Sequence, residues 1–207
     1  MIVVTTPMCK KIVEWAGLTE FKVNKHPDEE EGDLAILLSE SKVEMDSLAI
    51  KLNSFSQIKE SIKKVSDCLF EKGLVESSIS NENIDDIFKS YGHLEFASME
   101  EDDFEKIRLN NSNKKVKVYS EFLKDIVLDI GAEIIDFSLS DLETDSDIGE
   151  DFSYVVFPDF LKGVVSDNEN FENDHIKFIE IPTHSNVSKD PIERSEERYV
   201  ILINGLS

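Results

Sequence analysis

The sequence predicts an α/β protein with a largely parallel sheet and flanking helices, built from two weakly echoing βαβ-type halves. Three observations predict it. Short β-branched runs alternate with amphipathic helical stretches along the chain. The run 34–38 is wholly apolar, as expected of a strand buried on both faces. The second half also repeats the order of the first at an offset of 114 residues: Ile2, Val4, Lys10, Ile12, Val13 and Gly17 correspond to Val116, Val118, Lys124, Ile126, Val127 and Gly131. True duplication and a chance recurrence of common α/β punctuation both fit this echo. The halves are placed at 1–110 and 111–207, as one compact unit with a crevice between them.

The elements follow in order. Residues 2–4 are a short strand ending in Thr5-Thr6-Pro7, and a helix follows over 8–16 with Ile12, Val13 and Ala16 on one face. Pro7 is tolerated in a first turn, where its missing N–H had no intrahelical partner. Gly17 ends the helix. Strands are expected at 21–23, 34–38 and 48–52. The clearest helix is 56–72, with Ile58, Ile62, Val65 and Leu69 on one stripe and Gly73 as its stop. Residues 76–113 are polar and read as one weak helix near 84–88 followed by linker. The pattern then restarts with a strand at 116–118, a helix at 121–130, Gly131 as a stop and a strand at 133–137. An acidic loop at 141–151 precedes the apolar strand 154–157, and further strands are expected at 176–181 and 199–203.

Composition narrows the function classes. The chain has 207 residues, 40% hydrophobic, with 13 Phe, which suffices for a folded core despite the charge. Its formal net charge of −22, from 22 basic and 44 acidic side chains, repels phosphate backbones and anionic lipid, so nucleic acid and membrane partners are not expected. No apolar run reaches the roughly 18 residues of a membrane span, and residues 1–7 lack the basic and apolar regions of a signal peptide. Cys9 and Cys68 form no disulfide framework, which leads to the expectation of a soluble, cytoplasmic protein in a reducing compartment.

In a parallel sheet, ligands bind beyond the carboxyl ends of the strands. That selects loops 5–9, 39–41, 53–56, 119–121, 158–160 and 182–188, which are rich in hydroxyls and hold one thiol, Cys9, and one histidine, His184. They contain neither GxGxxG nor GxxxxGK[ST]. Cys9 opens a helix, where free N–H groups and the helix dipole lower a thiol pKa from about 8.5 toward 7 or below and favour acyl-acceptor chemistry. The alternative is that Cys9, close to Ile12 and Val13 in the helix, packs as a small hydrophobe. His184 is a candidate base or a contact to a substrate oxygen, or else an exposed turn residue. Cys68 reads as structural, and His26, His93 and His175 as surface residues. No His/Cys spacing suits zinc, and the acidic loop 141–151 lacks the order of a calcium cage.

The opening Met-Ile-Val-Val-Thr-Thr-Pro-Met-Cys-Lys-Lys-Ile-Val-Glu-Trp-Ala-Gly-Leu resembles the start of HcgF proteins, which help build the iron-guanylylpyridinol cofactor of [Fe]-hydrogenase in methanogenic archaea. The likeness covers about 18 residues: a short strand, the Thr-Thr-Pro turn, and a cysteine in ninth position. It implies an acyl-transfer enzyme that takes guanylylpyridinol, adenylylated by an HcgE-type partner, onto Cys9 as a thioester and releases AMP, with no permanently bound cofactor. Substrate contacts would then come from Thr5, Thr6, Pro7, Met8, Ser39 and Ser41 in the first half, and from Tyr119, Ser120, Thr183 and Ser185 in the second, with His184 beside Cys9 in catalysis. Hydroxyl loops suit a phosphodiester ligand in a chain with only three Arg.

Two other readings use the same residues. A non-catalytic binding module for a nucleotide-like small molecule needs the crevice but no reactive thiol. An interaction subunit would use the acidic loops to dock basic partners.

Overall fold

The computed structural model describes residues 1–137, 152–168, 175–183 and 187–207. These form two compact units: Met1–Ser98 with Ser188–Ser195, and Met99–Val187 with Glu196–Ser207. Each is a four-stranded, wholly parallel sheet with helices, so the α/β class with two echoing halves is what the chain forms.

In the first unit β1 (Val3–Thr5) leads into α1 (Lys10–Trp15), then β2 (Lys22–Val23), β3 (Leu34–Leu38), β4 (Ser47–Ile50), α2 (Phe55–Glu71) and α3 (Asn81–Lys89). The strand order is β2-β1-β3-β4, with Val4 opposite Lys22 on one side and Ala35 on the other. β3 is central, and Leu34 to Leu37 are buried, which is why that run carries no polar residue. α2 starts where Ser54 caps the Gln57 amide, and it buries Ile58, Ile62, Val65 and Leu69.

The second unit repeats the plan. It consists of α4 (Glu101–Asn111), β5 (Lys115–Val118), α5 (Glu121–Asp129), β6 (Glu133–Phe137), β7 (Tyr154–Pro158), α6 (Lys162–Asn168), β8 (Lys177–Ile181) and most of α7 (Pro191–Leu206). Its strand order, β6-β5-β7-β8, is that of the first sheet. Three corresponding pairs, Val4 and Val118, Ile12 and Ile126, and Val13 and Val127, are buried in both units, whereas Ile2 is exposed and Val116 buried. At the end of α5, side chains of α4 take the free carbonyls. Arg108 Nε donates to the Asp129 carbonyl at 2.8 Å, and Asn111 Nδ2 donates to that of Ile130 at 3.1 Å.

The structure corrects three element readings. The expected strand at 199–203 is the last part of α7, because Ile192, Ser195, Tyr199, Leu202 and Leu206 recur on one buried face at helical spacing. The weak helix expected near 84–88 is α3, but the linker expected after it contains a full helix, α4. α3 buries only Ile84 and Phe88, and α4 only Phe104 and Asn111, too few apolar residues for a visible stripe. α4 is instead favoured by Glu101, Asp102 and Asp103 in its first turn and Arg108 in its last. The short α6 had no counterpart among the expected elements. The acidic loop at 141–151 lies outside the described residues. Among those described, no helix is long and apolar enough to cross a membrane.

Candidate functional site

The order β2-β1-β3-β4 fixes where a ligand fits the first unit. The chain leaves β1 for β2 on one side and returns to β3 on the other, so the loops after β1 and β3 diverge and leave a crevice at their carboxyl ends. A cavity of about 300 Å³ opens there. Thr6 comes from the loop after β1, Lys25, His26 and Asp28 from the loop after β2, and Ser41 and Lys42 from the loop after β3, with Leu37 beneath.

Backbone bonds hold these loops in place. The Asn24 amide donates to the Thr5 carbonyl at 2.9 Å, and the Asn24 side-chain oxygen receives the His26 amide at 2.9 Å. Asp28 Oδ1 accepts the Glu44 amide at 3.0 Å and ties the two outer rims together. The Ser41 amide closes a turn onto the Leu38 carbonyl at 2.9 Å. Glu30 accepts hydrogen bonds from Asn24 and Lys22, in that order of effect, which hold its carboxyl below the usual range.

Cys9 does follow β1 at the start of α1, but its sulfur is fully buried and takes no part in the lining of this cavity. Burial pushes the thiol up. Hydrogen bonds from the Thr6 side chain and the Leu38 backbone, and the positive charge of Arg194, pull it down without offsetting burial. Burial thus holds the Cys9 thiol above its ordinary range, opposite to the lowering expected at a helix start. Arg194 is itself buried, with Nη1 donating to the Ser188 carbonyl at 3.0 Å and lying 3.9 Å from Met8 Sδ.

The remaining expected contacts divide. Thr6 and Ser41 meet at the cavity. Thr5 is buried and its hydroxyl donates to the Ile36 carbonyl at 2.7 Å. Pro7 and Met8 are half-buried, and the Ser39 hydroxyl donates to Glu40 at 3.0 Å. In the second unit Tyr119 is a core residue with Val155, Phe157 and Val165, and Ser120 stands at the start of α5 without capping it. Thr183 donates to the Asp159 carboxylate through its hydroxyl and its amide. His184 and Ser185 lie outside the described residues. Lys25, His26, Asp28 and Lys42 were missed, although the carboxyl-end rule applied to the loop after β2 points to three of them.

A larger cavity of about 810 Å³ lies along α2 and α3. It is lined by helix side chains and Leu48 of β4, among them Lys59, Asp67, Cys68 and Asp85, and by no loop at the strands' carboxyl ends. Topology therefore favours the smaller cavity. Among the described residues no group of three His, Cys, Asp or Glu is placed to hold a metal ion.

The fold of the whole chain is shared with proteins of known structure. Across the whole chain the structure resembles an FpvC mutant from Pseudomonas aeruginosa, with a TM-score of 0.60, 10% identity, and coverage of 100% of this chain and 99% of that one. It also resembles the Mn-bound periplasmic metal binding protein of Candidatus Liberibacter asiaticus (TM-score 0.54, 8% identity, 100% of both chains). A Zn(II)-bound AdcAII variant of Streptococcus pneumoniae matches with a TM-score of 0.53, 10% identity, and coverage of 100% and 99%. No family model matches the sequence, and no curated protein matches it either.

These matches overturn the HcgF reading. The likeness to HcgF covers the opening segment alone, whereas the fold of the entire chain is shared with binding proteins. Thioester formation on Cys9, the acyl-transfer activity and the HcgE-type partner fall with it, and guanylylpyridinol as ligand was implied by that resemblance only. The cytoplasmic placement falls too. The fold is shared with a protein described as periplasmic, and two unpaired cysteines do not decide the compartment.

Proposed function

We propose that this chain is a non-catalytic binding protein that holds a small solute in the cavity bounded by Thr6, His26 and Ser41. One observation carries the reading: the cavity sits at the carboxyl ends of β1, β2 and β3, beside the point where the strand order reverses, in a fold shared with binding proteins. Cys9, sealed beneath the loops, is here a packing residue. Two of the similar structures are described with Mn or Zn bound, so divalent cations belong among the solutes tried.

The test is a thermal-shift screen of Mn2+, Zn2+ and small organic solutes against the wild type and Ser41→Trp, which fills the cavity from an exposed loop. A solute present at about a hundred times its Kd stabilises by about 2.7 kcal/mol, a readily measured shift. The expected result is at least one solute that stabilises the wild type and not the variant. No stabilising solute, or an equal shift in both proteins, overturns the reading.

A further inference from the structure

We propose that this cavity selects a small oxyanion, a phosphate- or carboxylate-bearing solute, over a divalent cation; the proposal rests on the binding role put forward above. The chain carries 44 acidic side chains against 22 basic ones, yet the described lining of this cavity holds two lysines and a single carboxylate. In the same unit five lysines sit in ion pairs, whereas Lys64 donates to the Ala49 carbonyl instead. Lys25 and Lys42 have no ion-pair partner among the described residues, and both line this cavity, from the loops after β2 and β3 respectively.

The other donors agree in sign. The hydroxyls of Thr6 and Ser41 line the same space and can donate to oxygen, and the imidazole of His26 adds a further N–H. Asp28 is the one carboxylate in the lining, and its Oδ1 already accepts the Glu44 amide. Among the described lining residues a cation would find His26 and Asp28 as strong ligands, where a tetrahedral metal takes about four. The donor set therefore does not fit the metals bound by the similar structures. The net charge of −22 does not prevent anion binding at this point. Carboxylates farther away than about 8 Å are largely screened at physiological ionic strength, whereas lysines in the lining act at contact.

The test is isothermal titration calorimetry of the full chain with sodium phosphate, sodium citrate, MnCl2 and ZnCl2. The wild type is compared with Lys25→Met/Lys42→Met, Asp28→Asn and His26→Ala; all four residues are exposed, so the fold is retained. The expected result is saturable binding of phosphate or citrate, weakened at least about tenfold in the lysine double variant and undiminished in Asp28→Asn. Binding of phosphate alone identifies a phosphate-bearing ligand, and of citrate alone a polycarboxylate. Absence of oxyanion binding, or oxyanion binding indifferent to both lysines, overturns the proposal. If a metal binds instead and His26→Ala abolishes it, the anion class fails while the binding role survives; if no solute in this set or in the wider screen binds, both fail.

Discussion

Gly17 and Gly131 close the helix after the first strand of each sheet in the same left-handed conformation, with φ of 98° and 85°. Their surroundings differ. A Cβ on Gly17 would meet only Val75 Cγ1, at 3.6 Å, whereas one on Gly131 would lie 2.5 Å from the Arg108 carbonyl oxygen. Here α4 packs its backbone directly against the end of α5.

Gly17→Ala is accordingly expected to cost about 1 to 2 kcal/mol, the strain of a left-handed alanine. Gly131→Ala adds a backbone collision and should cost about 3 to 5 kcal/mol. Urea denaturation of the two variants checks this, and equal losses would show that the contact with Arg108 is not rigid.

The Cys9 thiol is expected to be silent in the folded protein. At pH 8, Ellman's reagent should titrate no more than the partly exposed Cys68 until urea is added, when both thiols react. Burial also sets a pH dependence. The folded chain keeps the Cys9 proton to a pH above the unfolded value of about 8.5, so the contribution is complete below that value and declines as pH rises past it. Comparing Cys9→Ala with wild type between pH 7 and 10 isolates this slope from that of Tyr91, whose hydroxyl burial and Asp190 also push up.

Ser195 is fully buried in α7 and its hydroxyl has no hydrogen-bond partner among the described residues. Removing such a group relieves a desolvation cost. Ser195→Ala should leave stability unchanged or raise it by up to about 1 kcal/mol, read as a urea midpoint at or above that of wild type.

The sheet strands were legible because β-branched runs and one wholly apolar segment announce them. The helix-ending glycines Gly17, Gly73 and Gly131 were visible for a related reason: nothing else marks a stop so clearly. The run Tyr199-Val-Ile-Leu-Ile misled because β-branched composition was weighed above the recurrence of buried residues upstream, at Ile192 and Ser195. α4 was invisible because charges at its ends, and not an apolar face, favour it. At the site, topology could be read and environment could not. The place of Cys9 after β1 was correct, but its burial, and the Arg194 charge and Leu38 backbone that act on its thiol, come from no local pattern. His26 is the exposed residue the sequence indicates, and its place at the crevice follows only once β2 is known to flank β1.

The segment Ser188–Ser195 belongs to the first unit although the second unit's strands precede it. It supplies Asp190, which accepts the Tyr91 hydroxyl at 2.6 Å, and Arg194 beside Met8. During synthesis from the amino end, every strand of the first sheet emerges early, yet its unit is sealed only when residue 195 has been made. The half made first is thus completed last, and a nascent chain halted at residue 98 would expose apolar surface that a chaperone could hold.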